Sequence, residues 1–257
     1  MSDNYSELDD FEDPKNYIFT KEASKYKEIK SIKEEDFEKI SKKICDIKID
    51  NINGIGFFCQ IPDPDNKNYT IANNIKVLFT CYHVANLKEI NTIKYKFLTQ
   101  EKEINVKEKE RRKWYSKDYD YSCIEILEKD KIDENDCLNI DENIEFDNYT
   151  KENLLDKVVY IFKTREVSIG NIKYIHTINL IYNNDTKEGW SGSPVICKDN
   201  NKVIAIHKEG IKSNDDNKGK KEGTFLGNQG ILLKYILKHM REKSEKDIKF
   251  KEKWKKK

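Results

Sequence analysis

Three short segments carry residue types that can do chemistry together. Val77-Leu78-Phe79-Thr80-Cys81-Tyr82-His83-Val84 is an apolar run that ends at a histidine. Asp120-Tyr121-Ser122-Cys123-Ile124-Glu125-Ile126 sets an acid and a small residue ahead of a second apolar run. Gly189-Trp190-Ser191-Gly192-Ser193-Pro194-Val195 embeds a serine among small residues. Alone, each has an ordinary reading: a strand-end histidine, a turn aspartate, a loop. Together they supply what nucleophilic acyl transfer needs. A serine hydroxyl is a poor nucleophile until an imidazole takes its proton, and the imidazole needs an acid to hold its tautomer and stabilise its charged form. Gly189 and Gly192 permit a tight turn that aims the backbone N–H groups of Gly189 and Ser191 at one developing oxyanion.

Such groups must be held by rigid elements. Ser31-x-x-Glu34 reads as a capping box, with Phe37, Ile40 and Ile44 on one helical face after it. From about residue 44 short β-rich runs take over: 44–49, 56–61, 76–80, 93–98, 122–127, 158–162, 174–182, 194–197 and 203–207. Pro62-Asp63-Pro64-Asp65 and Asp199-Asn200-Asn201 are turn chemistry between them. Many short strands with few helices predict an all-β barrel or sandwich. Helical spacing returns at Ile231, Leu232, Tyr235, Ile236, His239 and Met240, an amphipathic helix leading into a basic end.

These motifs resemble those of the trypsin-like serine peptidases. The order His, Asp, Ser is that family's, as are Thr80-x-x-His83-Val84, Asp120-Tyr-Ser-x-Ile-x-Ile and Gly189-x-Ser191-Gly192-Ser193-Pro194. Gly54-Ile55-Gly56-Phe57-Phe58 is similar to the strand entering the first barrel, and Val203 to Gly210 looks like the strand lining the substrate cleft. The short spacings suit the compact branch that includes the bacterial glutamyl endopeptidases, and the resemblance covers roughly residues 50–240. It implies two packed six-stranded antiparallel β-barrels with the site in the crevice between them. It implies a domain over 46–240, preceded by a charged extension with a short helix (1–45) and followed by a basic tail (241–257). Carried over by motif, Ser191 is the nucleophile, His83 the general base and then acid, and Asp120 the orienting carboxylate; Gly189 and Ser191 form the oxyanion hole. Asp118 competes for the acid role, but the small residue and apolar alternation after Asp120 favour Asp120.

Two departures stand out. Secreted trypsins place a half-cystine directly after the histidine, where this chain has Val84; Cys81 precedes it instead. No activation signature precedes the first barrel. The specificity signals also disagree. Asp185 occupies the position of the acid that binds Lys or Arg in the trypsin branch, whereas Thr186 and His207 match the positions that bind a glutamate side chain in glutamyl endopeptidases. Cleavage after Lys or Arg is slightly favoured over Glu, because a carboxylate in the pocket repels a second one.

The expected activity is therefore an intracellular serine endopeptidase acting on protein or peptide substrates without a cofactor. The alternative is a catalytically idle peptide-binding module on the same fold. With Lys+Arg 48 against Asp+Glu 47, the net charge of +1 gives no global field pointing to nucleic acid or membrane. The charge is nonetheless uneven: residues 1–13 carry six acids and no base, while 241–257 carry nine bases and four acids. A contact of nucleic acid or an anionic membrane with this basic tail is a minor possibility. The six cysteines show no C-x-x-C pair and no zinc-ligand spacing, and His176 and His239 read as ordinary strand and helix residues, so no metal site is indicated. Without an export signal, reduced cysteines in a cytoplasm are expected.

Overall fold

The computed structural model describes residues 32–66, 74–97, 99–141, 151–212 and 225–255. Ser31, the acidic residues 1–13 and the last two lysines lie outside them. Helix α1 (Glu34–Ser41) leads into β1 (Ile44–Ile49) and β2 (Ile52–Pro62). The first unit continues with β3 (Asn74–Thr80), β4 (Thr92–Phe97), β5 (Gln100–Asn105), β6 (Lys113–Ser116), β7 (Tyr121–Glu125) and the short β8 (Leu138–Asn139). After α2 (Lys151–Leu154), the second unit holds β9 (Val158–Lys163), β10 (Glu166–His176), β11 (Asn179–Tyr182), β12 (Pro194–Cys197), β13 (Lys202–Lys212) and β14 (Phe225–Leu232), and the chain turns into α3 (Leu233–Lys255).

The first unit is a curled sheet in the order β5-β4-β1-β2-β3-β7-β6, with β8 added in parallel to β2. The second is a closed barrel in the order β10-β11-β14-β13-β12-β9. The two-barrel architecture is thus present, with six strands closing the second unit and eight in the first. Alternation builds the outer strands. In β4, Ile93, Tyr95 and Phe97 are buried while Lys94 and Lys96 face water. β2 is different: Gly54 to Cys59 is continuously buried, in a strand paired by β1, β3 and β8 and met at Gly54 and Ile55 by the Ser191 loop. Phe58 meets Tyr95 and Phe97 edge-on at 5.6 and 5.2 Å. Each such buried side chain contributes about 1.5–3 kcal/mol by leaving water.

Three elements tie the units together. Phe37 of α1 reaches Phe162 of β9, with ring centroids 5.9 Å apart. Thr164, in the β9–β10 turn, donates to the Asp46 carboxylate on β1 at 2.9 Å. α3 crosses back onto the first unit, where Trp114 Nε1 donates to the buried Ser244 Oγ at 3.1 Å. Some expectations shift. The run 174–182 is two strands, because Thr177 adopts a left-handed φ of 54° and the chain reverses between His176 and Asn179. Ile231 and Leu232 complete β14 instead of opening the helix, and α3 continues past Met240 without a break.

Candidate active site

β3 ends at Thr80, and the next residues make one tight helical turn in which Ala85 N–H donates to the Cys81 carbonyl at 3.0 Å. His83 stands on that turn. The ladder between β3 and β7 ends at the pair Thr80 and Ser122, so the turn preceding β7 must lie beside the histidine. Asp120 occupies the last place in that turn, in a left-handed conformation with φ 51°. Its Oδ2 lies 2.8 Å from His83 Nδ1, and its Oδ1 accepts the His83 backbone N–H at 3.1 Å. Asp118, two residues earlier, is exposed and makes no bond to the histidine.

Ser191 comes from the other unit, on the loop before β12. This loop is docked onto the first unit by Ile55 N–H, which donates to the Ser191 carbonyl at 2.8 Å. Gly54 is the spacer: a Cβ there would lie 2.6 Å from Val84 and 3.0 Å from the Ser191 carbonyl oxygen, so the histidine turn and the serine loop close over a residue without a side chain. Gly192 has φ 92°, and a Cβ there would strike the Ile55 carbonyl oxygen at 2.0 Å. Cys81 adds a tie by donating its thiol to the His207 carbonyl at 3.2 Å.

The Ser191 hydroxyl donates to the Lys208 carbonyl at 2.8 Å, one residue along the same strand. It therefore points along β13, and a rotation about its Cα–Cβ bond separates this state from one bonded to an imidazole. Trp190 N–H turns inward to the Lys187 carbonyl at 3.3 Å, whereas the N–H groups of Gly189 and Ser191 find no protein acceptor among the described residues. These two donors, on a loop turned by Gly189 (φ 82°), can receive an anionic oxygen. Lys163 Nζ sits 3.6 Å from where a Cβ on Gly189 would be, adding a cation beside that loop.

Among the specificity candidates, Asp185 is exposed on the loop after β11. Its carboxylate is therefore open to water. Thr186 and His207 belong to one packed wall. His207 is 2% exposed, and its Nδ1 is bonded to Tyr182 Oη at 2.7 Å. Burial first, and the nearby His83 second, pull its pKa down to about 3, so it is neutral at ordinary pH. The Asn228 side-chain amide donates to the Asn184 carbonyl, which turns Asn228 Oδ1 toward Thr186, and the Thr186 hydroxyl donates to it. Asn184 is fixed in turn by bonds from its Nδ2 to the carbonyls of Val159 and Ser168.

Cys81, His83 and Asp120 bring one sulfur, one nitrogen and one oxygen within 4.8 Å of one another, a donor set that could hold a metal ion. Burial drives the Cys81 thiol pKa far above its usual value, and the thiol is spent on the His207 carbonyl. The trio therefore reads as hydrogen-bonded neighbours. No described helix is long and apolar enough to cross a membrane.

No protein-family model and no curated protein matches the sequence. Among solved structures, an inactive serine-to-alanine mutant of Rv3671c from M. tuberculosis aligns with a TM-score of 0.53 and 10% identity, over 80% of this chain and 89% of that one. The chain has the chymotrypsin fold. Glu endopeptidase aligns at TM-score 0.47 and 15% identity, over 78% of this chain and 88% of its own. Tobacco etch virus protease in complex with product aligns at 0.46 and 14%, over 79% and 77%. In the chymotrypsin fold of this chain, the three motif segments meet where the two units face each other. Tyr182, Asn228 and the Lys208 carbonyl escaped the sequence reading. Tyr182 ends a strand and Asn228 sits in the glycine-bearing β14, so neither carries a spacing signal; only the ladder of β11 on β14, which pairs the two residues, brings them to His207 and Thr186.

Proposed function

We propose that the chain is a serine endopeptidase in which Ser191 attacks the scissile carbonyl, His83 takes its proton and Asp120 holds the imidazole. The observation that carries this reading is the His83–Asp120 contact at 2.8 Å, on a turn packed through Gly54 against the Ser191 loop. With Asp120 accepting from Nδ1–H, His83 keeps Nε2 unprotonated, the tautomer a general base needs. Once Ser191 rotates off the Lys208 carbonyl, its hydroxyl proton goes to Nε2 as the Oγ–carbonyl carbon bond forms. The tetrahedral oxygen is received by the N–H groups of Gly189 and Ser191. His83 then protonates the leaving amine, and water hydrolyses the acyl-enzyme by the same steps. Six buried, unpaired cysteines support a reducing, intracellular setting.

The wall around His207 favours an uncharged carboxamide, as in glutamine, before the scissile bond. A neutral imidazole whose Nδ1 accepts from Tyr182 presents Nε2–H as a donor, which suits a side-chain carbonyl. The Thr186 hydroxyl has committed its proton to Asn228 and offers only lone pairs, which suit an amide NH₂ and repel a carboxylate. This replaces the preference for Lys or Arg over Glu, which rested on a shielded Asp185.

The Ser191–Lys208 bond favours a second reading, a module that binds peptides without cutting them. A fluorophosphonate probe with a peptide-library digest separates the two. Labelling lost in Ser191→Ala, with cleavage concentrated after Gln and reduced by His207→Ala, supports the enzyme. An unlabelled, folded wild-type protein that leaves the library intact refutes it.

A further inference from the structure

Lys163 ends β9 and brings its ammonium to the oxyanion loop, where Nζ lies 3.6 Å from the place a Cβ of Gly189 would take. The strand order β13-β12-β9 sets this lysine and the specificity wall on opposite flanks of the serine segment. On one flank, His207 N–H donates to the Ser193 carbonyl at 2.8 Å. On the other, the ladder of β12 on β9 runs to the pair Val195 and Ile161, and continuing it by two residues brings Lys163 level with Ser193. With neighbouring strands about 4.8 Å apart, the two flanks stand roughly 10 Å from each other. The lysine is held in place by its neighbours. Phe162 packs on Phe37, and Thr164 donates to the Asp46 carboxylate at 2.9 Å, which anchors the hairpin to the first unit. Lys163 is half-buried, yet among the described residues it makes no hydrogen bond or ion pair. Glu166, its partner in the β9–β10 register, and Glu188, next to Gly189, are both exposed and not bonded to it. A half-buried ammonium has lost part of its hydration, which favours an anion arriving beside it.

We propose that Lys163 selects an acidic side chain, Glu or Asp, at the second residue after the scissile bond. The assignment rests on the peptidase reading, which seats the residue before the bond against Thr186 and His207. With that side chain on the β13 flank, the leaving chain crosses the Ser191 loop toward β9. Alternate side chains of an extended substrate share a face, so the second residue after the bond turns toward the protein as the one before it does. Two residues cover about 7 Å of the roughly 10 Å between the flanks, and the acidic side chain and the lysine span the rest. There the carboxylate accepts a charge-assisted hydrogen bond from Nζ.

The test uses the full-length chain and peptides with Gln before the scissile bond and Glu, Gln or Lys at the second position after it. Wild type is expected to favour the Glu peptide over the Gln peptide about fivefold in kcat/KM, the upper range for a partly exposed ion pair. Lys163→Gln should bring that ratio to about one, and Lys163→Glu should invert it in favour of Lys. Arg165→Gln, at an exposed place on the same hairpin, should keep it. Should the Lys163 variants unfold, the wild-type ratio must still shrink as salt is raised. The same ratio is read as binding of fluorescent peptides to Ser191→Ala, so the two readings fail separately. Acid-favouring binding lost in Lys163→Gln, without cleavage by wild type, keeps the lysine's role and sinks the peptidase; cleavage indifferent to the acid does the reverse. No preference for Glu in either assay, a ratio unchanged by Lys163→Gln or by salt, or its loss in Arg165→Gln overturns the proposal.

Discussion

Replacing Asp120 by asparagine tests the core of the mechanism. The carboxylate makes two contacts with His83, Nδ1 to Oδ2 at 2.8 Å and backbone N–H to Oδ1 at 3.1 Å. An asparagine keeps the second contact with its carbonyl, which turns its NH₂ toward Nδ1. The imidazole must then carry its proton on Nε2, where it cannot accept one from Ser191. The charge stabilisation of the imidazolium is lost as well. For unit charges about 4 Å apart this is worth about 4 kcal/mol at an effective dielectric of 20 and about 1 kcal/mol in water. The His83 side chain is 47% exposed and that of Asp120 17%, so a value near 2 kcal/mol applies, roughly thirtyfold in rate. Adding the tautomer penalty brings the expected loss in kcat/KM to about 10³–10⁴. The assay is fluorophosphonate labelling together with hydrolysis of library-derived peptides, with thermal unfolding to confirm the fold. Asp118→Asn should be silent. If Asp120→Asn keeps more than about a tenth of wild-type activity, or Asp118→Asn is the damaging change, the reasoning fails.

Burial holds the folded pKa of His207 near 3, below its unfolded value, so unfolding takes up a proton between those limits and stability should fall as pH drops from 6.5. At pH 5 this costs about 2 kcal/mol relative to pH 8, and His207→Gln should flatten that slope in urea titrations; equal slopes would count against it. The same neutral ring makes KM for a Gln substrate flat between pH 5 and 8, to be checked by initial rates. Gly192→Ala should cost at least about 3 kcal/mol, since it adds a left-handed strain to a clash with the Ile55 carbonyl; a midpoint within experimental error of wild type would refute the docking described. Mild reductant should leave the melting temperature unchanged, because all six cysteines are buried as free thiols.

Where alternation or a long apolar run dominates, the strands were legible. β1 and β12 fall where their apolar residues predict them, Ile44–Ile49 and Pro194–Cys197. The missed strands lack such a signal. β5, Gln100–Asn105, buries only Ile104, because it is an edge whose other residues face water. β14 contains two glycines, an asparagine and a glutamine, and it is a strand because β11 and β13 supply ladder partners on both sides. The Gly189–Val195 segment was legible as chemistry because its small residues are needed to turn and dock a loop, a demand made on composition itself.

The residue types suited to acyl transfer, their order along the chain and the strand-rich architecture that carries them are properties of the sequence alone, since they follow from side-chain chemistry and local periodicity. Which acid meets the histidine was settled by the β3–β7 register, which brings the turn bearing Asp120 beside His83 while Asp118 stays in solvent. The state of His207 was decided in the same way. No local pattern encodes its bond to Tyr182 or its near-complete burial, yet these make it neutral and underlie the carboxamide preference proposed for the pocket. Protonation and hydrogen-bond direction depend on which groups are desolvated together, and only the closed second barrel assembles those groups.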